Sequence, residues 1–103
     1  MEQTKTGNLL IDTNESINFQ SGETIFREGD KVDGLFFIEK GKVKVYRTDA
    51  DGEEEILRIA EKGDFVGYRG FLTDTDHEAS AKALEPTLII LIRKEKFRDA
   101  MES

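Results

Sequence analysis

From Ser16 onward, apolar and polar residues alternate in short runs cut by turn residues. "SINFQ" sets Ile17 and Phe19 among polar neighbours, and "ETIFR" follows after Ser21–Gly22. A period of two marks a half-buried strand, because successive side chains leave opposite faces of the pleat. "EGD" at 28–30 and "DG" at 33–34 read as turns. "LFFIEKGKVKVYR" then reads as a hairpin. Leu35, Phe36, Phe37 and Ile38 are strand formers, Gly41 supplies the turn, and Val43 and Val45 alternate with Lys42 and Lys44. In "TDADGEEEILRIA", Asp51–Gly52 separates two β-like runs, a strong short hairpin cue. "EASAKAL" and "TLIILIR" add two strands, with Pro86 between them. The near-continuous apolar run Leu88–Ile92 predicts a strand buried on both faces.

Two segments break the strand period. "YRGFL", after Gly67, predicts a short helix. "KEKFRDAM" predicts another, with Phe97 and Met101 at i, i+4 as its packing face. Residues 1–15 are polar, and Leu9, Leu10 and Ile11 suffice for one short turn, so this part is read as a tail or short helix. The remainder, 16–103, is read as one domain. Short strands spaced near ten residues apart indicate a sandwich or roll. The alternation directs Val43 and Val45, and Leu57 and Ile59, into its core.

Composition narrows the chemistry. The chain has 103 residues, 37% hydrophobic and 36% charged, which suits one small globular domain with a modest core. It has no cysteine, which removes disulfides, thiolate catalysis and cysteine-ligated zinc or iron–sulfur sites together. Leu88–Ile92 is far too short to cross a bilayer, and "MEQTKTGNLL" has no secretory pattern, so the default expectation is cytoplasmic residence without membrane partners. The formal net charge of −7, without a basic run, argues against DNA binding by this chain itself.

Two acidic stretches invite a metal. In "DADGEEE" a calcium loop would place its sixth-position glycine at Gly52 and hence its first ligand on the cation Arg47, so the turn reading prevails. "DTDHE" gathers three carboxylates and the sole histidine, His77, which could hold a divalent ion or simply form a polar loop. His77 has no evident nucleophile beside it, and one histidine is poor provision for a cupin-type metal enzyme. "GDFVGYRG" is more informative. Gly63 and Gly67 bracket a short apolar strand, and Gly67 leads into the expected helical turn, where consecutive backbone N–H groups can form an anion-binding concavity.

Taken in order, "FQSGETIFREGD", "LFFIEKGKVKVYR", "EEEILRIAEKGDFVG" and "ASAKALEPTLIILIRKEKF" resemble the cyclic-nucleotide-binding domain, the β-roll sensor of the Crp/Fnr family of bacterial transcription regulators. The resemblance covers about 19–97. It implies a mainly β, jelly-roll-like β-roll (a double-stranded β-helix) with short flanking helices. It also selects Phe26, Phe36, Ile38, Phe65, Leu84, Ile90 and Ile92 as core. In nucleotide-binding members the cassette after Gly-Asp-Phe carries a glutamate for the ribose 2′-hydroxyl and an arginine for the cyclic phosphate, followed by Ser/Thr-Ala. Mapped here, the glutamate position falls on Tyr68 and the arginine position on Glu78. The Ser/Thr position falls on Ala79, or on Ser80 if the loop slips by one. Neither register supplies the arginine.

A buried phosphate monoanion prefers a forked guanidinium. A carboxylate near 4 Å would instead repel it by roughly 4 kcal/mol at an effective dielectric of about 20. The pattern therefore predicts a degenerate candidate cassette, Gly67, Tyr68, Arg69, Gly70, Glu78, Ala79 and Ser80, a ligand site either altered, to take a small anionic or nucleotide ligand other than cyclic AMP, or lost. Arg69 and Lys82 are the nearby cations in sequence. No cofactor, metal or catalytic residue is expected. The resemblance further implies allosteric signalling through the C-terminal helix, room for a homodimer, and DNA contact only through a helix-turn-helix lying outside this chain. The chain is either a sensor domain cut from a regulator or complete in itself. The competing readings are a ligand-free β-roll serving as a protein-interaction module and, more distantly, a cupin-like enzyme.

Overall fold

A computed structural model describes residues 15–102, so the tail expected around Leu9–Ile11 lies outside the described residues. Among the described residues, eight strands and two helices follow one another: β1 Glu15–Phe19, β2 Thr24–Phe26, β3 Gly34–Lys40, β4 Lys42–Thr48, β5 Glu54–Glu61, β6 Phe65–Val66, α1 Tyr68–Thr73, β7 Ser80–Ala83, β8 Thr87–Arg93 and α2 Lys94–Glu102. They form two four-stranded antiparallel sheets, in the orders β1-β8-β3-β6 and β2-β7-β4-β5. This is the β-roll with short helices that the strand spacing and the resemblance implied.

The main core lies between the sheets. Phe36, Ile38, Val66, Ile89 and Leu91 from the first sheet meet Phe26, Val43, Ala60 and Ala81 from the second. The outer face of the first sheet carries a second apolar layer. There Leu35, Ile90 and Ile92 are covered by Phe37, Phe71 of α1 and Phe97 of α2. Strand β8 is thus buried on both faces, as its continuous apolar run requires. The Met101 side chain, expected to pack beside Phe97, lies outside the described residues.

Three expectations are corrected. The first is the hairpin at Gly41. Strands β3 and β4 do not pair; Gly41, at φ +103, carries the chain from one sheet to the other. A side chain there would collide with Thr87 and the Pro86 carbonyl. The Asp51–Gly52 hairpin does join β4 to β5, with the Gly52 N–H donating to the Asp49 carbonyl at 3.0 Å.

The second correction is a matter of register. Leu57 and Ile59 are exposed rather than core. Strand β5 sets Ala60 opposite Val43 and Arg58 opposite Val45, so 58 and 60 share the core-facing side of Val43 and Val45. Ile59 sits opposite Lys44 on the other face. Between Val45 and Tyr46 the partner jumps from Arg58 to Ile56, leaving Leu57 as the extra residue of a bulge. Since the pleat has period two, a shift of one residue exchanges the faces completely.

The third concerns Phe65 and Leu84, which are also exposed. In β6 it is Val66, paired with Phe36, that points into the core, while Phe65 packs its ring on Phe37 at 5.1 Å on the outer side. Leu84 lies just beyond the end of β7. Val45 is half-buried and packs against the core's edge.

Candidate functional site

A cavity of about 240 Å³ opens beside the "GDFVGYRG" segment. Its floor and walls are Phe26, Val45, Leu57 and Ala79, and its rim carries Arg47, Arg58, Arg69 and Glu78. Gly67, Tyr68, Gly70 and His77 complete it. Six of the seven cassette residues singled out from the sequence therefore share one cavity. Ser80 does not join them. It is buried at the start of β7, where its hydroxyl accepts the Glu28 N–H at 2.9 Å. Lys82 is elsewhere too, pairing with Glu54 at 3.8 Å and lying 5.5 Å from the Tyr46 ring centroid.

The local backbone explains how the site is held. Gly67 sits at φ +77, before α1. A Cβ there would stand 2.8 Å from the His77 ring and 3.2 Å from the Phe26 ring, so the position excludes side chains both by dihedral and by space. Gly70, buried within α1, lets that helix close onto Val32 and the carbonyls of Thr75 and Asp76. The loop after α1 is strapped to the 28–30 turn in both directions. The Gly29 N–H donates to the His77 carbonyl and the His77 N–H to the Asp30 carbonyl, each at 2.9 Å.

That strap corrects the reading of His77 as part of a polar loop. Its side chain is 4% exposed and stacks on Phe26, with ring centroids 3.7 Å apart and planes 9° from parallel. Burial pushes its pKa below the usual histidine value, against the opposing pull of Asp30, Asp33 and Asp76. His77 and Glu78 part company at the cavity: the imidazole turns inward and the carboxylate stays on the rim. Among the described residues, no three histidine or carboxylate side chains come together as metal ligands would.

Glu78 has two cationic neighbours. Its Oε1 lies 3.5 Å from Arg69 Nη1 and 3.8 Å from Arg47 Nη2. Arg47 also donates from Nε to the Glu78 backbone carbonyl at 3.0 Å. Arg58 donates to the Phe65 carbonyl, which ties β5 to β6 across the cavity mouth. With three arginines and one carboxylate on its rim, the cavity is locally cationic in a chain of net charge −7.

Arg47 and Arg58 were missed as site residues. Arg47 was available from the alternation, since 43, 45 and 47 share one face of β4. Arg58 was not, because the bulge at Leu57 reverses the parity on which the pattern depends.

Helix α1 connects the cavity to the C-terminal helix. Its first residues line the cavity, while Phe71 meets Phe97 of α2 edge-on at 5.0 Å. At its end, Asp74 pairs with Lys94, the first residue of α2, and this partner holds the Asp74 carboxyl below its usual pKa. Among the described residues, no helix is long and apolar enough to cross a membrane.

Comparison with known proteins agrees with this architecture. Residues 16–103 match the cyclic nucleotide-binding domain family. The cyclic AMP receptor protein of Thermus thermophilus is 30% identical over 79 residues, covering 77% of this chain and 37% of that protein. The cAMP-activated global transcriptional regulator CRP of Pasteurella multocida is 34% identical over 85 residues, covering 82% of this chain and 41% of the regulator. The crystal structure of the Thermus thermophilus catabolite activator protein superposes with a TM-score of 0.86 at 26% identity, over 94% of this chain and 46% of that one. The chain thus spans less than half the length of each of these relatives.

Proposed function

Because the chain belongs to the cyclic nucleotide-binding domain family, we propose that it is a non-catalytic ligand-sensing domain whose cavity accepts a small anionic ligand other than cyclic AMP. The observation that carries this reading is the pair Tyr68 and Glu78 lining the cavity, where nucleotide-binding relatives are expected to present a glutamate and an arginine. The cationic surroundings favour an anion, but the carboxylate of Glu78 stands where a cyclic phosphate would seek its cation.

Signalling follows from the position of α1. A ligand touching Tyr68, Arg69 and Gly70 would bear on one side of the helix, and Phe71 and Asp74 would pass a displacement to Phe97 and Lys94 of α2. Such a shift requires a ligand with different affinity for two arrangements of the helices. Regulation of transcription would then need a DNA-binding segment outside this chain, in a cytoplasmic setting.

Titration calorimetry with cyclic AMP tests the reading. A charge-assisted hydrogen bond contributes roughly 1.5–3 kcal/mol, and a micromolar ligand binds with about −8 kcal/mol. Loss of more than one such bond moves affinity towards millimolar. The unmodified chain should show no micromolar binding, and Tyr68→Glu with Glu78→Arg should restore measurable affinity. Tight cyclic-AMP binding by the unmodified chain refutes the proposal. A second reading, a ligand-free interaction module, is favoured by the exposed Ile56, Leu57 and Ile59 on β5. It would be selected by the absence of any thermal shift with cyclic nucleotides, nucleoside phosphates and small anions.

A further inference from the structure

Resting on the reading of the cavity as a ligand site, we propose that Arg47 and Arg69 form a clamp for the dianion of a phosphomonoester. In this arrangement Glu78 is a built-in competitor that occupies the clamp until the ligand displaces it.

The geometry carries the idea. One carboxylate oxygen of Glu78 stands between two guanidinium groups from different elements, β4 and α1, at 3.8 and 3.5 Å. Charge-assisted N–H···O bonds close to about 2.7–2.9 Å, so the carboxylate satisfies neither cation fully. Arg47 does not depend on that carboxylate for its place, because its Nε is anchored on the Glu78 backbone carbonyl. Its Nη groups take no part in that bond and remain available to an incoming oxygen. The side chains of Arg47, Glu78 and Arg69 are 46%, 45% and 70% exposed, so the competitor can swing into water without breaking packing.

Charge selects the ligand class. A monoanion that replaces Glu78 exchanges one negative charge for another between the same two cations and gains little. A phosphomonoester brings about −1.5 to −2 charges near neutral pH and three acceptor oxygens. It can therefore present a separate oxygen to each guanidinium. A cyclic phosphodiester has a single charge and lacks that advantage. Below the clamp the walls are apolar, from Phe26, Val45 and Ala79, with the Tyr68 ring at the side. That lining suits a flat, weakly polar body such as a nucleoside.

The test is calorimetric titration of the full chain with adenosine 5′-monophosphate, 3′,5′-cyclic AMP and inorganic phosphate. The proteins are the unmodified chain and the variants Glu78→Gln, Arg47→Gln and Arg69→Gln, with thermal melts confirming that each is folded. The monoester should bind at least about tenfold more tightly than the cyclic diester. Glu78→Gln should tighten monoester binding by about three- to tenfold, the scale of releasing two exposed ion pairs. Each arginine variant should weaken it by about tenfold, the scale of one charge-assisted bond. Inorganic phosphate should bind more weakly than the monoester with the same arginine dependence, which places the nucleoside against the apolar walls. Phosphate binding as tightly as the monoester would overturn the nucleoside assignment. Equal or tighter binding of the cyclic diester overturns the clamp. Monoester binding that ignores Glu78→Gln overturns the competitor role while leaving the cavity as a ligand site. Silence from all three probes in both the unmodified chain and Glu78→Gln overturns the clamp, whereas binding of cyclic AMP alone would sink the reading of the cavity beneath it.

Discussion

Gly67→Ala loads two separable penalties onto one position. The first is conformational. Gly67 has φ +77, where an L-residue lies about 1–2 kcal/mol above its right-handed conformation. The second is crowding. The new Cβ would lie 2.8 Å from His77 Cε1 and 3.2 Å from two atoms of the Phe26 ring. These rings are stacked and buried, so neither can give way into solvent. Forcing packed side chains apart costs typically about 1–3 kcal/mol. Together the change should remove about 2–5 kcal/mol of stability. Gly63→Ala separates the two contributions, because Gly63 has φ +94 and nothing within 4 Å of its would-be Cβ. It should lose only the conformational part, about 1–2 kcal/mol. Urea denaturation of both variants beside the unmodified chain measures the difference. In a domain of this size each kcal/mol also lowers Tm by about 4–8 °C. Equal losses from the two variants would refute the reasoning, since they would show that the His77–Phe26 stack does not confine Gly67.

Two further outcomes test the core and the buried imidazole. Ile38→Ala and Ile89→Ala remove fully buried side chains and should each cost about 2–5 kcal/mol, whereas Ile59→Ala, on the outward face of β5, should cost less than about 1 kcal/mol; a loss at Ile59 matching that at Ile38 would mean that β5 is registered the other way round. His77 has a folded-state pKa below its usual value because it is buried. The unfolded chain therefore takes up its proton first, at about pH 6.5, and stability should decline as pH falls from there through the folded-state pKa. His77→Phe, which keeps an aromatic ring against Phe26, should flatten that decline in denaturation midpoints measured between about pH 5 and 7; an unchanged slope would rule out His77 as its source.

Much of the fold was legible because its signals are local. Alternation around Ile17, Val43 and Val45, the Asp51–Gly52 turn and the unbroken run at 88–92 each report on neighbouring residues, and the strands lie where those signals stand. What misled was information held between strands. "LFFIEKGKVKVYR" has the appearance of a hairpin whether its halves pair with each other or join different sheets; Gly41 permits both, and only the partners β6, β8, β5 and β7 decide. The bulge at Leu57 is of the same kind. It makes Arg58 and Ala60 inward-facing where simple parity favoured Leu57 and Ile59, and so it hid one of the cavity's cations. Gly67, Tyr68, Arg69 and Glu78 could be grouped from a resemblance in motif order, but Arg47 reaches them from a strand some thirty residues away. The inward turn of His77 rests on backbone bonds to Gly29 and Asp30 that no run of five polar letters announces.

The position of β8 has a consequence for how the chain comes into being. It lies between β1 and β3 in its sheet, yet among the described residues it is synthesised after every other strand. While a ribosome is still making the first eighty-odd residues, β1 has no neighbour among the described residues and β3 has only the two residues of β6 to hold. Their facing edges cannot be paired, because the strand that joins them does not yet exist. Non-local pairings of this sort form slowly even once the chain is free, since a long loop must close before any bond is gained. The nascent chain therefore emerges as an incomplete sheet with exposed edges, the condition in which partly made proteins meet chaperones or one another. Assembly of that sheet awaits the arrival of Thr87–Arg93, after which β1 and β3 can be zipped together from the centre outward.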